Sequence, residues 1–561
     1  MTEAAETMEA AVQCCRAGRL GQAKELCRLV LQRDHNHPFA LHALGAIAYQ
    51  EGRYEEAVNL IRKAIAANPR VPEFHNSIGV VFKALGKLEE AIGAYGQAVF
   101  LKPDYAEAYS MMAVCLQKQG KYAEAIESCK KAVRFKPDFA EAYNHLATIL
   151  DDQGRYAEAI ENYTRALQLR PDYAEAYNNL GISLRAQGKL AEAIANCNRA
   201  IQLKPHSAEP YYNLADAQRD LGRCEQAVVS YDRAIQLKPN CAQAHWNRAL
   251  ALLLSGNLVQ GWKAFQWRRN PDLKIVTYPH RYDVPRWDGS SFRGKTLLVH
   301  YEQGLGDTLQ FVRYLPMVKD RAGRVILEVR RLLIGLLRGF PGIDELVQAS
   351  DKKPDIQFDF HISLMDLPQI FGTTLETIPC SVPYLHAAPE KIEHWRDQLA
   401  KTGFKVGIVW AGSPAHRKDH IRSCPLEYFA PLARIPGVRL YGLQKGREAK
   451  QVEHLAGKVA VVNLADQFED FTDTAAAIAN LDLIISADTA VLHLAGAMGR
   501  PVWALLPFTP DWRWMLNRQD SPWYPTMRLF RQKILGDWRT IFHTVAEQLQ
   551  IIVERRQVVT S

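Results

Sequence analysis

At 561 residues the chain is too long for one hydrophobic core and predicts two or three domains, each with a sizeable apolar interior. Charged residues make up 23%, apolar residues 48%, and the formal net charge is +8, a balance that excludes a chain built mainly to grip nucleic acid while leaving room for a local anion site. The ten cysteines lack any C-x-x-C pair or zinc spacing, the start MTEAAETMEA lacks a basic apolar leader, and no run of about 18 uncharged apolar residues occurs. These features predict reduced thiols, a cytoplasmic protein, no export and no membrane span.

The first half is periodic. Glycines at 18, 52, 86, 120, 154, 188, 222 and 256 stand 34 residues apart, as do prolines at 69, 103, 137, 171, 205 and 239. Five positions after each glycine comes a small residue, from Ala23 through Ala227 to Gly261, where two helices need close approach. The unit is a helical hairpin whose glycine breaks the first helix and whose proline stops the second. Over residues 4 to 271 this pattern resembles the tetratricopeptide repeat, and it predicts about eight repeats in an α-solenoid spanning 1–271. The eighth unit is two residues short and rich in tryptophan (Trp246, Trp262, Trp267), which reads as a cap or a joint.

Stacked repeats of this kind present a groove for peptides or partner helices, so a protein or peptide acceptor is the expected partner. The position before the repeat leucine or its equivalent reads Ala43, Ser77, Met111, His145, Asn179, Asn213 and Asn247. By resemblance to protein O-linked N-acetylglucosamine transferases, whose asparagines at this position line the groove, the run Asn179, Asn213, Asn247 is the candidate acceptor clamp. Asparagine is also common there in repeats without such a role.

Residues 272–294 lose the period and carry Pro279, Pro285 and Gly289, which predicts a packed linker. Beyond it, apolar runs such as KTLLVH, RVILEV, KVGIVWAG, LDLIIS and RPVWALL alternate with helical patterns. That alternation predicts parallel sheets covered by helices, arranged as two Rossmann-like lobes at 295–390 and 391–561. Ligands bind such sheets at the carboxyl ends of the strands, and three loops there stand out.

In VHYEQGLGDTLQF a strand ends at His300 and a helix starts near Thr308, so Asp307 either caps that helix or points into the cleft. The stretch WAGSPAHRKDHIRSCPLEYF packs Arg417, Lys418, His420 and Arg422 after a strand, suiting a diphosphate or simply facing water, and Lys445 extends the same basic wall. In SADTAVLHLAGAMGRPVWALLP a buried strand turns at Asp488 into a helix whose first amides, at Thr489, Ala490 and Val491, can hold phosphate oxygens. A sugar diphosphate explains an acid beside an anion site: phosphate meets the amides while sugar hydroxyls donate to the Asp488 carboxylate. Asp488 capping the helix and His493 packing on its own strand are the plain alternatives. The aromatic stretch PFTPDWRWMLNRQDSPWYP reads either as core or as a stacking wall for a base or sugar.

Asp488, Thr489 and His493 followed by LAGAMGRPV resemble glycosyltransferase family nine, the ADP-heptose:lipopolysaccharide heptosyltransferases, over residues 295 to 550. Ala490 stands where that family usually carries glycine. The resemblance, which extends to the G-x-G-D loop ending at Asp307, implies a two-lobed GT-B fold, Asp307 as catalytic base, a donor site at Asp488, Thr489, Ala490, His493, Lys445 and a basic residue for which Arg422 aligns best and Arg417 and Lys418 are the alternatives, and hexosyl or heptosyl transfer from a nucleotide-diphosphate sugar. It further implies an inverting reaction with no cofactor and no catalytic metal, which suits a sequence without an Asp-x-Asp pair. The fused repeats point to a polypeptide acceptor. The competing expectation is a non-catalytic tetratricopeptide adaptor carrying a relic transferase domain.

Overall fold

The computed structural model describes residues 3–273, 280, 282–414, 419–455 and 457–560. The chain divides into two compact units, Met1–Ala217 and Gln218–Ser561, so the last helices of the array belong with the α/β part.

In the first unit, antiparallel helix pairs follow the repeat period, as in Ala174–Ala186 with Leu190–Leu203. The glycine between them, Gly188, sits at φ +75°, and Gly18, Gly52, Gly86, Gly120 and Gly154 occupy the same left-handed region that side chains disfavour. Ala23, Ala57, Ala91, Ala125, Ala159 and Ala193 are fully buried, which is the close approach their size allows. A side-chain ladder joins neighbouring repeats. His42 meets Ser77 at 2.8 Å, Ser110 meets His145 at 2.8 Å, Asn179 donates to Asn144 at 3.5 Å and Asn213 donates to Asn178 at 2.8 Å, every pair 35 residues apart.

The second unit opens with the final repeats. Gly222 and Gly256 keep the positive φ, and a methyl group on Gly261 would come within 2.5 Å of the Leu253 side chain. The eighth unit is a joint: Trp262 stacks edge-on to Trp512 at 5.2 Å and donates its indole N–H to the Thr373 carbonyl at 3.1 Å. Beyond it, Trp287 and Phe292 of the linker are buried, whereas residues 274–279 and 281 lie outside the described residues.

Two all-parallel sheets follow. The first comprises β1 (Thr296–His300), β2 (Arg324–Val329), β3 (Glu345–Gln348) and β4 (Phe360–Ser363), in the order β3-β2-β1-β4. The second comprises β5 (Phe404–Val409), β6 (Val438–Gly442), β7 (Val461–Asn463), β8 (Leu483–Ala487), β9 (Val502–Leu506) and β10 (Met527–Arg531), in the order β10-β9-β8-β5-β6-β7. This is the doubly wound dinucleotide-fold order, and the first sheet is its four-stranded counterpart. Strand order reverses between β1 and β4 in one lobe and between β5 and β8 in the other, and crevices open at such reversals.

Two strands escape the sequence pattern: β3 is a short half-exposed edge, and β10 (MRLFR) interleaves arginines with its apolar residues. The helix after β1 begins at Leu305, a turn earlier than expected near Thr308. No helix among the described residues is long and apolar enough to cross a membrane.

Candidate active site at the switch points

The loop after β1 leads into the helix Leu305–Phe311, where Asp307 occupies the third position of the first turn. One carboxylate oxygen, Oδ2, accepts the Gly304 amide at 2.6 Å, so the capping role is real. The other oxygen, Oδ1, accepts from the Arg513 guanidinium. Burial pushes the Asp307 carboxyl up, against the opposing charge of Arg513.

The turn after β8 leads into the helix Ala490–Ala497. Thr489 caps it with extended backbone and lends no side-chain oxygen, and its hydroxyl lies 3.1 Å from Ser486 instead. Asp488 therefore does not cap this helix; the Leu492 amide is taken by the Thr489 carbonyl at 3.1 Å, which leaves the Ala490 and Val491 amides at the uncapped start. Burial, reinforced by the charge of Asp511, pushes the Asp488 carboxyl up to about 6, while Trp514, Arg422 and Arg513 oppose the shift.

Arg422 comes from the loop after β5, on the other side of the reversal. It donates to the Asp488 backbone carbonyl at 3.1 Å and is steadied by Asp419 at 3.1 Å. Its guanidinium lies so close over Gly412 that a methyl group there would come within 2.2 Å of Nη2, which is why the loop carries glycine. Arg417 and Lys418 lie outside the described residues. Lys445 donates to the Phe468 carbonyl and forms no hydrogen bond with the Asp488 cluster.

His493 closes the site from below. Its Nδ1 meets the Tyr524 hydroxyl at 3.0 Å, its ring stacks on Trp514 at 5.3 Å, and its Nε2 stands 4.0 Å from Asp488. Burial, with Arg513 and Arg313 nearby, drives its pKa well down, so the imidazole is neutral. The ring also presses on the first lobe: a methyl group on Gly306 would come within 2.8 Å of His493 Cδ2 and 3.5 Å of the Ala490 Cα. The two acid-bearing turns, distant in sequence, meet here.

Arg513, which binds the acid of the first turn, belongs to the aromatic stretch between β9 and β10. Besides Asp307 it donates to Asp511 at 2.8 Å and to Gln310 at 2.6 Å, and it lies over the Trp512 ring at 4.3 Å. By its sequence that stretch is either core or a stacking wall. Trp514, Trp523 and Tyr524 have no exposed surface, so they are core, and the arginine among them carries the polar function. An arginine flanked by tryptophans beside an acid was the available signal.

A second network was also hidden. Arg268, fully buried at the end of the last repeat, pairs with Glu302 at 2.6 and 2.7 Å and with Asp366 at 2.8 Å. Asp366 also takes Arg269 at 3.0 Å and Arg286 at 2.7 Å; burial would raise its pKa, but the three arginines hold it down at about 2. Glu302 lies in the loop that delivers Asp307. Through it the end of the array is tied to that loop.

Of the acceptor candidates, Asn179 and Asn213 are half-buried and each spends an amide N–H on the preceding repeat. Asn247 is buried and accepts from Gln243 at 3.0 Å, so it is not presented as the other two are.

The fold is a helical-repeat array followed by an α/β part with two parallel sheets. The sequence family described as tetratricopeptide repeat matches residues 42–105, 145–208, 104–172 and, as TPR repeat, 215–256. Glycosyltransferase family 9 (heptosyltransferase) matches residues 415–532. The chain thus carries tetratricopeptide repeats in its N-terminal part and a glycosyltransferase family 9 domain in its C-terminal part.

Protein FlbA of Caulobacter vibrioides is 30% identical over 327 residues, covering 54% of this chain and 54% of that protein, so the match spans about half of this curated relative. Among solved structures, YrrB, described as a TPR protein with an unusual peptide-binding site, is 24% identical, with 34% of this chain and 98% of that chain covered and a TM-score of 0.29. A tetratricopeptide repeat protein from Parabacteroides merdae is 18% identical, with 44% and 98% covered and a TM-score of 0.37.

Proposed function

We propose that the second unit transfers a hexosyl or heptosyl group from a nucleotide-diphosphate sugar to a polypeptide captured by the repeats, with inversion at the anomeric carbon. The observation that carries this reading is the meeting of two switch-point turns, one bearing Asp307 and the other Asp488 and His493, at the Gly306–His493 contact.

Asp488 accepts hydrogen bonds from the sugar, and the diphosphate lies at the start of the helix Ala490–Ala497 beside Arg422. Asp307 takes the proton of the acceptor hydroxyl as that oxygen attacks the anomeric carbon. The charge that builds on the departing diphosphate is met by the first-turn amides and the guanidinium groups, a preorganised arrangement that needs no metal ion or cofactor. The repeats supply the acceptor through the ladder face that carries Asn179 and Asn213.

Calorimetric titration of the intact chain and Asp488→Ala with ADP, GDP and UDP sugars, with a donor-hydrolysis assay alongside, tests the reading. Sugar-dependent binding lost in the variant supports it. No binding of any donor by the intact chain would sink it and favour an adaptor working through its repeats alone.

A further inference from the structure

We propose that Arg513 works in two settings: in the empty cleft it holds Asp307 in reserve, and when a nucleotide sugar arrives it transfers to the diphosphate and releases Asp307 to accept the acceptor proton. The inference rests on the donor reading above and deepens it, since nothing in that reading says how the base is kept or freed.

Both oxygens of Asp307 are engaged, one by the Gly304 amide at 2.6 Å and the other by the Arg513 guanidinium. A carboxylate whose charge is matched by a guanidinium is a poor proton acceptor, so transfer needs that bond exchanged. The arginine is built for the exchange. Its Nη1 stays on Asp511 at 2.8 Å, its Nε stays on Gln310 at 2.6 Å, and the plane rests on Trp512 at 4.3 Å, so only Nη2 has to change partner. A guanidinium fork serves phosphate oxygens as well as carboxylate oxygens, which makes a diphosphate the natural competitor.

The location agrees. Asp307 and Gln310 come from the first lobe and Asp511 and Trp512 from the second, so Arg513 senses both walls of the cleft. It also feels the charge of Asp488, the carboxylate assigned to the sugar.

The chemical step balances. The acceptor O–H gives its proton to Asp307 Oδ1, its oxygen electron pair forms the new bond to the anomeric carbon, and the bond from that carbon to the phosphate oxygen breaks. The electron pair of the broken bond leaves on the nucleoside diphosphate, where Arg513 Nη2 donates to the terminal oxygens.

The exchange makes a prediction that a merely structural arginine does not. If Asp307 and the diphosphate compete for one guanidinium, removing the carboxylate charge strengthens diphosphate binding through Arg513 and only through it. The full-length chain, Asp307→Asn, Arg513→Gln, Arg513→Lys and the Asp307→Asn/Arg513→Gln double variant are titrated with ADP, GDP and UDP by calorimetry.

The intact chain is expected to bind one of them, Asp307→Asn to bind it about tenfold more tightly and Arg513→Gln at least about tenfold more weakly, as befits a hydrogen bond to a charged group. Arg513→Lys should fall between, because a point charge replaces the fork. In the Arg513→Gln background, Asp307→Asn should change affinity by less than about twofold, the limit of non-interacting changes.

Equal tightening in both backgrounds would reduce Asp307 to simple repulsion and overturn the proposal, as would an Asp307→Asn affinity no higher than that of the intact chain. Both outcomes leave the donor reading standing if Asp488→Ala still abolishes sugar-dependent binding. Failure of the intact chain to bind any of the three overturns the exchange, and failure to bind their sugars as well overturns both readings. Should the Arg513→Gln variants melt early, Arg513→Lys with and without Asp307→Asn replaces them in the same comparison, and tightening by Asp307→Asn as large there as in the intact chain overturns the proposal.

Discussion

Gly306 and His493 lie in different lobes, and a single methyl group added to the glycine would stand 2.8 Å from the imidazole. The imidazole cannot yield cheaply, because Tyr524 holds its Nδ1 at 3.0 Å and Trp514 backs its face. Gly306→Ala is therefore expected to part the two acid-bearing turns. The cost should be about 1–3 kcal/mol in urea unfolding of the second unit, with a transfer rate down on the order of 10- to 100-fold from misplaced groups. Unchanged kinetics would mean that the contact does not set the catalytic geometry.

Asp307→Asn keeps the shape of the side chain and its bond to the Gly304 amide but cannot accept a proton. Transfer should drop by about 10²–10⁴-fold, the usual worth of a positioned base, while donor binding survives. Steady-state kinetics beside calorimetry separate the two effects. Full activity in the variant removes Asp307 from the chemistry.

Asp488 supplies a pH signature. Burial raises its pKa to about 6 in the folded protein, so between the ordinary carboxylate range and pH 6 the folded state holds a proton that the unfolded chain has lost. Stability contributed by this group is therefore complete at low pH and declines as pH rises toward and past 6. Above pH 6, Asp488→Asn should exceed the intact chain in stability by on the order of 1–3 kcal/mol, the gap closing near pH 4. Thermal melts of both proteins across that range measure the difference; a gap independent of pH would contradict the raised carboxyl.

Arg268→Ala leaves Glu302 and Asp366 buried without their shared partner. Losing one member of a buried ion network costs about 3–5 kcal/mol, and the loss should appear in the second unit. Acid unfolding gives an independent reading. Asp366, held at about 2, contributes stability that is present above the ordinary carboxylate range and lost as pH falls through 2. Without Arg268 its pKa should climb and acid unfolding should begin at higher pH, which circular dichroism during acid titration would follow.

The asparagine run divides. Asn179→Ala with Asn213→Ala removes two rungs of the inter-repeat ladder, each worth about 1 kcal/mol, and should weaken acceptor capture while the array still melts cooperatively. Adding Asn247→Ala should lower stability with little further effect on capture, because that side chain is buried against Gln243. Acceptor pull-down and melting curves on the two sets distinguish the roles, and unchanged capture in both would end the clamp hypothesis.

The sequence by itself determined the helical hairpins, most strands of both sheets and the two turns that carry Asp307 and Asp488. Each of these is a local property: Gly188 is glycine because its own φ is positive, and LIISA (Leu483–Ala487) is a strand because both its faces are buried. The short edge strand β3 and the arginine-bearing β10 carry weaker periodicity, and their pairing partners had to be in place before they could be read. The tertiary structure alone decided that Asp307 shares Arg513 with Asp511, that Arg268 binds Glu302 and Asp366, and that Asn247 turns inward. A buried charge is tolerated only beside its counter-charge, and which counter-charge it meets is set by how distant segments close on one another, a relation that no spacing along the chain encodes.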